Sequence, residues 1–434
     1  MRHNKKVVAL LLLIAILSGC VLRDTEIPST IVSEVQTTTN IDASTTTTPE
    51  STQNTPESLT YSVNEKGYTV VNGTLANGIL VSAEILCDRD ISQPGEASSY
   101  AIQVVPYSEK DRTLFVSSDW TLKQKETEEM NYGEAYLDGT GFLDSYSDSL
   151  GQIWGLMTLP MNIYYYSARG ALLSSLITST DELPDDGKDF SFATLKDGFS
   201  QASTFLTAAG FTVANTHDVY RISYSWFEQS EKMCEFYGDD TSAYKKLYPQ
   251  GFTKQDNAYL FYLNQEIDGL PIQTVSGGTL LQNGQIPDKS VAERVVGWTG
   301  ATILITNKGV ENAYIGMRIQ QGDVVRTDEI CSFETALANI PTDVRTESAY
   351  DDVYSRIGIQ TTGITTVVKA ELGYLIVVSG DQYIGEARPC WIFELEWEDP
   401  NSTNPIYVKE HAWDIIDAYT GQHIPATTTS LEPI

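Results

Sequence analysis

The chain has 434 residues, with 58 Asp and Glu against 28 Lys and Arg and a formal net charge of −30; 41% of its residues are hydrophobic and 10% aromatic. That is apolar material for one large domain or two ordinary ones, and it excludes wholesale disorder. The acidic surplus excludes a nucleic-acid binder, which needs a basic face to displace phosphate counterions, and a polybasic patch for docking on anionic lipid.

Residues 1–19 read as a secretory leader. Arg2, Lys5 and Lys6 form a positive start, and Val7 to Leu17 is an apolar run of 11 residues. A helix needs roughly 20 such residues to span the hydrocarbon core, so this run is an export signal rather than a transmembrane anchor. Leu17-Ser18-Gly19-Cys20 follows, and it resembles the lipobox of bacterial lipoproteins. That resemblance implies a diacylated Cys20 thiol, cleavage before it, and a protein held by lipid on the extracytoplasmic face of the cell membrane. Two acyl chains anchor stably where one binds marginally. Loss of the leader takes the formal charge from −30 to −33.

Residues 20–60 form the lipidated cysteine and a tether. Between Thr25 and Thr60 lie twelve Thr and no Lys or Arg. Such a segment has too little apolar surface to offset its ordering entropy and is expected to be disordered. About 36 residues of such chain span on the order of 30 Å. The Thr-rich end, 425–434, is expected to be a flexible tail.

The body divides by pattern into a β-rich part, 61–185, and an α+β part, 186–424. In the first, strands are expected at Tyr68–Val71, Ile79–Leu86, Tyr100–Val105 and Thr113–Val116, with Gly73, Asn77 and Gly78 as turn residues. In the second, Phe192, Leu195, Phe199, Ala202, Phe205, Leu206 and Ala209 recur at helical spacing behind a Ser191 cap, with Gly210 at the C-terminal stop. Strands follow at Ala258–Ile267, turned by Asp268-Gly269-Leu270-Pro271, and at Ala301–Thr306. A short helix starts at a Ser332 cap and stops at Pro341. Further strands are Ile364–Val378, with a break at Gly373, and Pro389–Trp397. Few helices, many strands and hairpin spacing predict an α+β fold with an antiparallel, β-rich body. In the last strand Trp391, Phe393, Leu395 and Trp397 share one face and Glu394, Glu396 and Glu398 the other. That carboxylate row could face a cation such as Ca²⁺, but no Gly-Asp loop accompanies it, so a solvated face is expected.

The order of the Ser332 helix, Leu372-Gly373-Tyr374, Arg388-Pro389-Cys390-Trp391-Ile392-Phe393 and Ala412 to Gly421 resembles the PepSY-like and YycH/YycI-type extracytoplasmic domains of Gram-positive bacteria. In those, an Asp-Ala-x-x-Gly turn closes the sheet and a Pro-x-Trp precedes a core strand. The helix ending at Gly210 and the Asp268-Gly269 turn resemble their first half. The likeness covers roughly residues 190–420, while 61–185 match nothing familiar. The whole chain resembles uncharacterised lipoproteins of Firmicutes, especially clostridia. The resemblance implies non-enzymatic binding or regulation of an envelope protein partner and supplies no catalytic residues.

The residues supply none either. No nucleophile elbow, zinc-protease motif or phosphate loop occurs. His217, His411 and His423 are the histidines beyond the leader, and the acid pairs Asp185-Asp186, Asp239-Asp240 and Asp351-Asp352 fall near expected loops. No metal-ligand spacing is present and no cofactor is implied. Cys87, Cys234, Cys331 and Cys390 remain after Cys20; Cys331 with Cys390 is a candidate disulfide, and buried free thiols are the alternative. The expected function is therefore that of a membrane-anchored binding or regulatory module. A solute- or glycan-binding lipoprotein serving a transporter is the second reading.

Overall fold

The computed structural model describes residues 56–64, 67–76, 78–87, 89–114, 121–131, 140–149, 151–157, 162–177, 188–237, 241–273, 278–280, 293–297, 299–340, 364–379, 384–398 and 409–424. In chain order the strands begin with β1 (Pro56–Val63), β2 (Thr69–Leu75), β3 (Leu80–Leu86), β4 (Glu96–Val105), β5 (Leu122–Asn131), β6 (Thr140–Asp148), β7 (Ile153–Met157) and β8 (Ile163–Tyr166). Helices α1 (Ala168–Ser175) and α2 (Leu195–Ala208) precede β9 (Val213–Ile222), and α3 (Tyr224–Tyr237) and α4 (Ser242–Leu247) follow it. Then come β10 (Ala258–Ile267), β11 (Leu270–Pro271), β12 (Gly278–Thr279), β13 (Glu293–Val295), β14 (Ala301–Thr306), β15 (Gly309–Ile315) and β16 (Arg318–Glu329). The short helix α5 (Phe333–Leu337) precedes β17 (Ile364–Ser379), β18 (Ile384–Glu398) and β19 (Lys409–Asp417).

These strands form a ten-stranded and a nine-stranded sheet. The α+β expectation is thereby corrected: the fold is mainly β, with two large, mostly antiparallel sheets to which a few helices are appended, and no lipid anchor is part of what is described. Each sheet draws strands from both sides of residues 185/186. The first sheet joins β1–β4 to β16–β19, and the second joins β5–β8 to β9–β11, β14 and β15. Local turn signals reveal hairpins but not which hairpins pair at long range. β3 pairs with β17 in parallel.

The spine of the first sheet is the long hairpin β17–β18, whose register runs from Ile364↔Glu398 to Val378↔Gly385. The expected break at Gly373 does not occur, and β17 is continuous. Trp391, Phe393 and Leu395 are fully buried as the alternation predicts, each contributing about 1.5–3 kcal/mol of apolar transfer. Trp391 and Phe393 pack on Phe333 of α5, whose Ser332 cap accepts from the Thr335 amide. In the second sheet, Ala202, Leu206 and Ala209 of α2 pack on Tyr259, Phe261 and Ile303. That helix starts three residues later than expected, because Thr194 and Asp197 form a reciprocal capping box. It ends with Gly210 at φ 84. The strand expected at Thr113–Val116 is replaced by a 3-10 turn over Glu109–Leu114, its last two residues lying outside the described set.

Candidate functional site

The two sheets meet at a seam built by the β10–β11 hairpin. Asp268 (φ 51) and Gly269 (φ 74) are its two turn residues, both left-handed as a tight type I′ turn requires. Past the turn, Ile272 bridges Tyr374 of β17 in parallel, and the Gln273 amide donates to the Tyr374 carbonyl at 2.9 Å. The crossing strand passes so close over β17 that a Cβ on Gly373 would lie 2.6 Å from the Pro271 carbonyl oxygen. This close approach, not a break in the strand, explains the glycine.

Gln265 of β10 ties the seam together from within. Its side chain is buried; Nε2 donates to the carbonyls of Thr299 and Met317, both at 2.8 Å, and Oε1 accepts from the Ile319 amide at 3.0 Å. Nearby, Tyr374 donates its hydroxyl to the Ser98 carbonyl at 2.7 Å and meets Tyr100 edge-on with centroids 6.0 Å apart. Burial pushes both phenols up, and the Asp268 carboxylate adds to the shift of each. A shallow cleft opens beside the hairpin, lined by Leu86, Cys87, Asn215, Glu266 and Gly269 among others.

At one end of the seam the register sets Glu84 of β3, Lys369 of β17, Glu394 of β18 and Trp413 of β19 side by side. Lys369 reaches across to the second sheet, placing Nζ 3.3 Å from Asp218 Oδ2 of β9. Burial alone would depress the ammonium, but Asp218, Glu371 and Glu394 more than offset it and hold it above its ordinary 10.5. An amine so held stays charged at neutral pH, so the cluster clasps the sheets and offers no free amine nucleophile. A raised value means that the contribution is complete below about pH 10.4 and is lost as pH rises through the folded-state value. Lys369→Met should therefore cost about 1–3 kcal/mol, between the surface and buried limits. In urea unfolding that difference should stay constant from pH 7 to pH 10; a gap that closes earlier contradicts the assignment.

Among the residues singled out from sequence, Glu394 and Glu396 are half-buried rather than solvated, and Glu394 serves the Lys369 cluster. The backbone of Glu398 continues β18, its side chain lying outside the described residues. The Cys331–Cys390 disulfide is not formed in this structure: both are thiols, and they pack against different apolar clusters. Burial pushes Cys331 up to about 11 and raises Cys390 further, so neither is a reactive thiolate. His423 contacts the buried Asp414 at 2.7 Å. His217 and His411 lie in β9 and β19, with side chains outside the described set, as are Cys20 and the three Asp pairs. Among the described residues no cluster could hold a metal ion, and no helix is long and apolar enough to cross a membrane.

Sequence reading missed the seam. The Asp268-Gly269 turn, Gly373 and Lys369, a lone base inside the strand Ile364–Val378, were visible in the sequence without showing that they belong together.

No described protein family matches the chain, and no curated protein does either. Among solved structures, an uncharacterised protein from the Firmicute Eubacterium rectale is similar. It has a TM-score of 0.52 and 13% identity, over 85% of this chain and 93% of that one. The chain thus shares a fold with a Firmicute protein of about its own extent.

Proposed function

We propose that this is a lipoprotein of the Firmicute envelope, anchored through Cys20 on the extracytoplasmic face, that binds and regulates a protein partner without catalysing a reaction. The observation that carries the location is the Arg2 to Cys20 segment, where charge, an 11-residue apolar run, small residues and cysteine converge on one site. The binding role rests on the likeness of residues 190–420 to PepSY-like and YycH/YycI-type domains. It is consistent with charges that are engaged with one another, Lys369 with Asp218 across the seam and Arg388 with Glu293 and Glu386 within the first sheet.

Two measurements test it. Cys20→Ala should abolish labelling by an alkyne-palmitate analogue and release the protein or leave its leader uncleaved; retained label and membrane association would remove the anchor. Crosslinking on intact cells should then recover an envelope protein with the wild type. If the wild type instead yields no partner and its melting temperature rises with a defined sugar or peptide, the solute-binding alternative stands in its place.

A further inference from the structure

Among the described residues, no strand pairs with the outer edge of the strand that ends the first sheet. β16 is 12 residues long and pairs with β4 on one side only. From Gln320 to Glu329 every residue is exposed, on both faces of the strand. Val324 and Val325 keep 55% and 58% of their surface in solvent. A native strand left open along one edge and on both faces displays unpaired backbone groups. The features that blunt such edges are partly present. Two bulges, between Gln321 and Val324 and between Val324 and Arg326, break the register with β4. Asp323, Arg326, Asp328 and Glu329 add charge, and Arg326 is engaged by Asp328 at 2.6 Å and by the Tyr419 ring. What remains on the rim is acidic: Asp323, Glu329 and the exposed Glu96 of β4, which is opposite Glu329.

We propose that the open edge of β16 is a strand-addition site for an extended segment of a partner protein that carries Lys or Arg alternating with apolar residues. The backbone ladder would supply affinity, the two valines would take the apolar side chains, and the acidic rim would select the basic ones. A second copy is a poor occupant, because it brings the same acidic rim and another thirty net negative charges to the contact. The bulges restrict pairing to strands that fit the kink, which separates recognition from indiscriminate edge pairing. The inference rests on the proposed binding role and names the surface that performs it.

The probes are two capped synthetic peptides, one alternating Lys and Val and one alternating Glu and Val, added to the full chain. Amide hydrogen exchange across residues 318–329 is read with and without each. Saturating Lys/Val peptide should slow exchange there at least tenfold and Glu/Val peptide should not. Val324→Pro, which removes a backbone donor without altering charge, should abolish the protection. Asp323→Lys, which leaves the ladder intact, should weaken it severalfold. Unchanged exchange with the Lys/Val peptide, protection surviving Val324→Pro, or protection confined to another surface would overturn the proposal. So would concentration-dependent protection without peptide, which would make a second copy the occupant. Partner recovery on cells together with an unprotected edge would retire this site and leave the binding role standing.

Discussion

Arg169→Met is expected to lower the folding free energy by about 3–5 kcal/mol, the range for leaving buried charge without its counter-ion. Arg169 lies in the first turn of α1, whose cap, Ser167, accepts from the Gly170 amide at 2.8 Å. From there its guanidinium reaches Asp256 Oδ1 and Glu311 Oε2, each at 3.3 Å, and donates to the Gln255 carbonyl at 3.2 Å. Asp256 and Glu311 are only 7% and 5% exposed. One cation therefore serves two buried carboxylates and fastens α1 to the β14–β15 hairpin, where Glu311 also accepts from Thr306 at 2.7 Å. Arg169→Lys should fall between, since a point charge cannot repeat a forked contact. Guanidinium unfolding at pH 7 measures this, and a loss under 1 kcal/mol would show that the acids are satisfied without the arginine.

The contrast between this network and the β17–β18 hairpin shows what the sequence carries. Alternation at Trp391, Phe393 and Leu395 and helical spacing at Ala202, Leu206 and Ala209 are local periodicities, and each buried the predicted face. Ser332 and Gly210 were legible because a cap and a left-handed stop are single-residue requirements. Helix α3 was not legible: Phe227 is its one fully buried large side chain, and such a narrow contact leaves little periodic trace. The fold class failed for a different reason. Counting hairpins does not reveal that β3 and β4 pair with β16, β17 and β18 from the far end of the chain, since pairing register lies in contacts between distant segments. The seam is wholly of that kind. Asp218 and Lys369 are 151 residues apart, and Gln265 looks like any polar residue in an alternating strand until three backbone groups from other segments are seen around it. Glu394 illustrates the same limit. Its face was read correctly from the alternation, but its neighbour across the β17–β18 ladder, Lys369, is the residue that reaches the other sheet.

Gly373→Val should cost about 3 kcal/mol, at the upper end of overpacking effects, because the strand above it has little room to yield. The added Cβ would sit 2.6 Å from the Pro271 carbonyl oxygen and 2.8 Å from Gln273 Nε2. Pro271 is held by the β10–β11 pairing, and Gln273 by the hydrogen bond its backbone N–H donates to the Tyr374 carbonyl. Relief thus requires β11 to lift from β17. That motion draws on the contacts that join the sheets, so it should weaken the Lys369–Asp218 clasp as well as the crossing itself. A double-mutant cycle in urea between Gly373→Ala and Lys369→Met reads the connection, the smaller side chain keeping the variant folded. If the seam acts as one joint, the two losses should fall short of additivity by at least 0.5 kcal/mol, since the first substitution already loosens what the second removes. Additivity within about 0.3 kcal/mol would make the crossing and the clasp independent fastenings. The sheets could then part at one end while remaining joined at the other.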